Sequence, residues 1–238
     1  SHHTTPESDT DNVPEADMAF ISNDKLFITL QNLVDWAATE NAMVAVFDIN
    51  TWEEIDTNSN IEGVQGIYLT LKNHQTGAIH NNKIYLGSLV FAPWGSNDPH
   101  TGGLEVINTS TLESSVATDQ LAVNSITVNA QGKVFFADYA DWESNSLYVL
   151  NNDNSYNLVS NDLSNINITM LASPGDNSIW IGTTSFDDEN QILRMDGALD
   201  FTEPKSFDDV VLSKVITALK PIGIAFLDTD SSDLSASE

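Results

Sequence analysis

The 238-residue chain contains no cysteine, which removes disulfides, thiolate metal sites and cysteine nucleophiles from consideration. Positive charge is also scarce: 8 Lys plus Arg stand against 35 Asp plus Glu, for a formal net charge of -27. Phosphate contacts need clustered Lys and Arg, so no nucleic-acid partner is expected. The same balance repels anionic membrane surfaces. No apolar run approaches the roughly 20 residues that cross a bilayer, so no membrane span is expected either. Also missing are a G-x-S-x-G elbow, an H-E-x-x-H helix, a phosphate loop and a dinucleotide fingerprint. No segment keeps a helical period beyond a few turns. A field of carboxylates does suit cations, which it concentrates near the surface. With 41% hydrophobic residues, the chain still carries enough apolar mass for a packed core.

What is present is repetition. A short alternating strand recurs as Lys25-Leu26-Phe27-Ile28, Lys83-Ile84-Tyr85-Leu86, Lys133-Val134-Phe135-Phe136 and Ser178-Ile179-Trp180-Ile181. Turn residues precede each copy: Asn23-Asp24, Asn81-Asn82, Gln131-Gly132 and Asp176-Asn177. A second strand follows each and ends on Asp48, Asn108, Asn151 or Asp196, at spacings of 60, 43 and 45 residues. A third precedes the turn, as in Ala19-Phe20-Ile21 and Ile126-Thr127-Val128. A weaker fourth is expected in the connections, at Glu54-Ile55-Asp56 and Tyr156-Asn157-Leu158-Val159. Four strands per unit at this period define an all-β fold, an irregular or incomplete β-propeller-like array of four-stranded blades. Residues 13–227 read as one such domain between acidic tails at 1–12 and 228–238. The pattern Gly223-Ile224-Ala225-Phe226-Leu227 has the look of one more inner strand without partners.

Blade geometry places residues 72–75 on one rim with loops 31–42, 89–102, 137–146 and 183–190. Those four loops carry Trp36, Trp94, Trp142 and Phe186. His74 and His100 are expected to face one region of that rim, with His80 on the other. Two imidazoles without a thiolate suit copper, zinc or nickel. If Ser1 carries a free amine, His2-His3 place an imidazole third in the chain, a square-planar arrangement for Cu(II) or Ni(II). Asn151-Asn152-Asp153-Asn154 and Asp187-Asp188-Glu189-Asn190 are oxygen-rich candidates for Ca²⁺, neither with EF-hand spacing.

The patterns Lys25–Asp48 and Lys83–Leu112 resemble bacterial surface and periplasmic propeller-like proteins with YVTN-type repeats. The paired His, loop Trp and absence of cysteine also resemble the methanotroph surface copper-binding proteins of the MopE/CorA group. That second resemblance implies copper (Cu⁺) held by His74, His100 and a kynurenine made by oxidation of Trp36 or Trp94. It implies a role in copper acquisition, with the protein secreted or on the outer surface of a Gram-negative bacterium beside a cell-surface or outer-membrane partner. The chain's start at Ser1 without Met is compatible with a mature exported protein or with a trimmed chain. On these grounds the protein is expected not to be an enzyme. A metal-free binding or adhesion module of the cell surface is the other expectation, because the repeats are structural and no catalytic motif accompanies them.

Overall fold

In the computed structural model, residues 15–33, 37–141, 145–163, 166–184 and 189–226 are described. They form four antiparallel sheets of four strands, each strand hydrogen-bonded to the next in the chain. Blade 1 holds β1 (Ala16–Ser22), β2 (Lys25–Leu30), β3 (Met43–Asp48) and β4 (Ile67–Tyr68). Blade 2 holds β5 (His74–His80), β6 (Lys83–Val90), β7 (Thr101–Asn108) and β8 (Glu113–Thr118). Blade 3 holds β9 (Val123–Val128), β10 (Val134–Tyr139), β11 (Asn145–Leu150) and β12 (Tyr156–Leu158). Blade 4 holds β13 (Asn167–Ala172), β14 (Ser178–Thr184), β15 (Asn190–Asp196) and β16 (Val211–Thr217), with the single-turn helix α1 (Phe207–Val210) before β16.

Turn chemistry explains the repeat. Asn23, Asp24, Asn81 and Asn82 all have positive φ, as two-residue type I′ hairpins require. The Asp or Asn closing the second strand caps the turn that follows in blades 1, 2 and 4, and in blade 3 Asp153 takes that place. Asp48 Oδ1 accepts from the backbone N–H groups of Asn50 (2.8 Å) and Thr51 (3.1 Å). Asn108 Oδ1 does the same for Ser110 (2.9 Å) and Thr111 (3.2 Å), and Asp196 Oδ1 for Ala198 (2.9 Å). Those backbone bonds hold the Asp48 carboxyl below its ordinary value. The recurring Asp/Asn therefore marks a turn.

Strand alternation builds the core from interblade faces. Phe27, Val44 and Val46 of blade 1 pack on Ile84, Leu86 and Ile107 of blade 2. Tyr85 and Leu104 meet Val123, Ile126, Val134 and Phe136 of blade 3. Phe135, Leu147 and Val149 meet Ile168, Ile179, Ile181 and Leu193 of blade 4. Blades 1 and 4 share no core cluster among the described residues, in keeping with the incomplete array expected of a chain this short. Gly87 shows how closely blades 2 and 3 approach. A Cβ there would stand 2.5 Å from Thr76 Cγ2 and 2.6 Å from Val123 Cγ1.

Two strand expectations change. The outer strand of blade 1 is Ile67–Tyr68, and Glu54 makes only an isolated bridge to Phe47. The polar Glu54-Ile55-Asp56 run pairs too briefly to form a ladder, whereas Ile67 is buried against the blade. Residues 221–226 form no strand. They cross the open face of blade 4, where Thr169 Oγ1 donates to the Pro221 carbonyl and Phe226 meets Trp180 edge-on at 5.9 Å. The apolar pattern there packs as a strap across the blade.

Candidate functional site

His74 opens β5 and is fully buried. Its backbone pairs with Ser88, which pairs with Gly103, two residues from Glu105 on β7. Glu105 is also fully buried, and its Oε2 lies 3.5 Å from His74 Nε2. That contact lacks hydrogen-bond geometry, and both ring nitrogens of His74 are buried without a hydrogen-bond partner. Glu105 is well satisfied: it accepts from Thr70 N–H (2.9 Å) and Leu71 N–H (3.0 Å) on the link from blade 1. Burial alone would raise its carboxyl. The His74 imidazole and the two amides outweigh burial and hold it below its ordinary value. Nearby, Ser88 Oγ donates to the Lys72 carbonyl, and Asn73 Nδ2 to Leu89 O at 2.7 Å. This cluster pins the blade 1–2 link.

His100 sits at the same end of the blade 2 sheet, immediately before β7. It turns to the other face. Its Nδ1 accepts from Ala92 N–H at 2.9 Å. Its ring lies 5.2 Å from Phe91 and 5.4 Å from Tyr139 of blade 3, and Phe91 and Tyr139 meet edge-on at 5.6 Å. The structure therefore does not bring His74 and His100 together. One faces the blade 1 link and the other blade 3, because β7 alternates its side chains between the two interblade faces. Trp94, on the same loop as His100, is fully exposed. Trp36, Trp142, Phe186, His2 and His3 lie outside the described residues. His80 closes β5 at the opposite end from His74, where the Gly132 turn packs against it.

The calcium candidates fare differently. Asp153 Oδ1 accepts from Ser155 N–H (3.0 Å) and Ser155 Oγ (2.6 Å), while Asn151 Nδ2 donates to Ser155 Oγ (2.8 Å). That turn already uses Asp153 Oδ1 internally. Asp187 and Asp188 lie outside the described residues. Among the described residues, no group of three or more His, Asp or Glu side chains is arranged to hold a metal ion.

Sequence reasoning missed three residues that matter here. Glu105 had a readable signal: at its place in the other second strands stand Ala45, Tyr148 and Leu193, so a lone carboxylate broke the pattern. Phe91 and Tyr139 gave less, since each only ends or follows an ordinary apolar strand. The Tyr139 hydroxyl is raised by burial and then by the Asp141 carboxylate, which places negative charge beside the ring cluster. On the opposite rim a polar cleft of about 340 Å³ separates blades 3 and 4, lined in part by Gln131, Lys133, Asn152 and Asp200. The amine in it is committed: Lys133 Nζ donates to Ala198 O (2.9 Å) and Leu199 O (2.7 Å).

Sheet order, blade period and interblade cores make this a β-propeller-type protein. No family model matches the chain, and no curated protein does. Among solved structures it resembles a prolyl endopeptidase at 13% identity and TM-score 0.50, covering 76% of this chain and 26% of that one. It also resembles an ulvan lyase of polysaccharide lyase family PL25 bound to a saccharide, at 12% identity and TM-score 0.50, covering 83% of this chain and 55% of that one. The chain thus spans about a quarter to a half of the proteins it superposes on, and the likeness is one of fold. It corrects one expectation. Missing motifs suggested a protein that is not an enzyme, but the architecture is one that enzymes use, so motif scarcity does not decide the matter.

Proposed function

We propose that the chain is a cell-surface binding module that captures a cationic ligand on the rim between blades 2 and 3. The observation that carries this reading is the ring triad Phe91–His100–Tyr139, with Phe91 54% exposed on a rigid sheet end. Aromatic faces attract guanidinium and ammonium groups, and the protein's -27 charge concentrates cations around them. Asp141 beside Tyr139 adds local negative potential. The test uses a capped Gly-Arg-Gly peptide and its Gly-Glu-Gly counterpart, followed by His100 and Tyr139 ring signals in NMR. The Arg peptide is expected to shift both rings. Phe91→Ala with Tyr139→Ala should weaken it about 2- to 5-fold, the range of a solvent-exposed cation–π contact. An unchanged affinity in that variant sinks the reading, because diffuse attraction to the acidic surface would then be all there is.

A second reading, capture of Cu⁺ as the MopE/CorA resemblance implies, is favoured by one observation: the two unpartnered, buried ring nitrogens of His74. Neutral imidazole is a good ligand for this ion. Because His74 and His100 face different blades, dialysis against Cu⁺ is expected to lose copper with His74→Ala and keep it with His100→Ala. Oxidation of Trp36 or Trp94 to kynurenine would add about 4 Da to the intact mass. Equal retention by both variants, with no added mass, removes this reading.

A further inference from the structure

Exposed apolar surface is concentrated on one element. Leu212, Val215 and Ile216 of β16 are each 53–55% exposed, and Leu219 and Ile222, just beyond it, are 80% exposed. β16 is the outer strand of blade 4, seven residues long, and no strand pairs with its far edge among the described residues. The other outer strands are less suited to pairing: β4 has two residues, β12 three, and β8 reads Glu-Ser-Ser-Val-Ala-Thr. A long, apolar, unpaired edge is a template for another strand.

Charge identifies the kind of strand. Residues 210–226 contain no Asp or Glu, in a chain with 35 of them, and include Lys214 and Lys220. Both lysines are exposed, and neither forms an ion pair among the described residues. Alternation puts Lys214 and Ile216 on one face of β16 and Ser213 and Val215 on the other. An added strand would meet Lys214 beside Ile216 on the first face and Val215 on the second, with Leu212 at a register irregularity near the start of the strand. Screening over about 8 Å at physiological ionic strength leaves Lys214 and Lys220, rather than the distant carboxylates, to set the field a short added strand meets, whereas a second copy would bring its whole acidic surface against this one.

We propose that the β16 edge is a docking site for an extended segment of another protein in which apolar residues alternate with carboxylates. Backbone pairing along Val211–Thr217 supplies the affinity, and Lys214 and Lys220 select acidic over basic strands. The surface is separate from the ring triad, so the two proposals stand or fall independently.

The experiment uses the full chain and a fluorescein-labelled, capped hexapeptide alternating valine with glutamate, with a lysine-for-glutamate peptide as comparison. Anisotropy is expected to show saturable binding of the glutamate peptide, at least tenfold tighter than the lysine peptide. The exposed double variant Lys214→Glu, Lys220→Glu should reverse that order with its thermal midpoint little changed. Amide exchange over 211–217 should slow when the glutamate peptide is bound. Equal binding of the two peptides, or an unchanged preference in the double variant, overturns the proposal. It is also overturned if the wild-type chain sediments as a dimer that Ile216→Glu returns to monomer, or if zwitterionic vesicles capture the protein through the same edge.

Discussion

Replacing Glu105 by alanine is expected to lower the unfolding free energy by about 3–5 kcal/mol, from the loss of two hydrogen bonds to a charged acceptor and the cavity left beside His74. This carboxylate accepts from the N–H groups of Thr70 and Leu71 and faces the fully buried imidazole of His74. Alanine strips both amides of a charged acceptor, at about 1–3 kcal/mol for each, and leaves a cavity beside His74. The damage should concentrate where blade 1 joins blade 2, so amide exchange at residues 69–73 is expected to accelerate more than exchange in β14 or β15. Glu105→Gln tests the charge alone. The native carboxyl is held below its ordinary 4.5, so its ionised form contributes stability in full above that value and loses it as pH falls through the lower folded value. Wild type should therefore lose more stability between pH 7 and pH 3 than Glu105→Gln does. Parallel pH profiles from urea titration would show that the carboxylate does not bridge the link as described.

The same cluster shows where sequence reading succeeds and stops. Strands, turn types and blade order were legible because they depend on residues near one another in the chain. Asn81-Asn82 can hardly be anything but a tight turn, and Asp48 caps its own loop. Rim placement of His74 and His100 also followed from strand direction. What failed was the face. His74 enters β5 through a register irregularity between His74 and Thr76, so its side chain cannot be assigned by counting from the turn. That offset on β5 and the alternation along β7 together turn His74 and His100 to different faces. The Phe91–His100–Tyr139 triad was hidden for another reason: it joins two blades 39 residues or more apart in sequence, and nothing local marks either partner.

Phe135→Ala and Phe136→Ala are each expected to cost about 3–5 kcal/mol, although the two residues are adjacent. In a sheet with one solvated face, one of any two neighbours would be tolerant. Here Phe135 is fully buried against blade 4, edge-on to Phe201 at 5.7 Å, and Phe136 is fully buried against blade 2, stacked on Tyr148 at 5.7 Å. Both faces of β10 are interior because blade 3 stands between two others. On the terminal blade the logic reverses, and Val215→Ala on β16 should cost under about 1 kcal/mol, since its side chain is half exposed. Chemical denaturation of the three variants checks this directly. A tolerant Phe135 or Phe136 would mean that blade 3 has a free face, and the stacking of blades inferred from the repeats would have to be abandoned. Two costly neighbours beside a cheap edge is the pattern expected of a stack of sheets, in which each inner blade is stabilised by the blades on both sides and the last has a blade on one side alone.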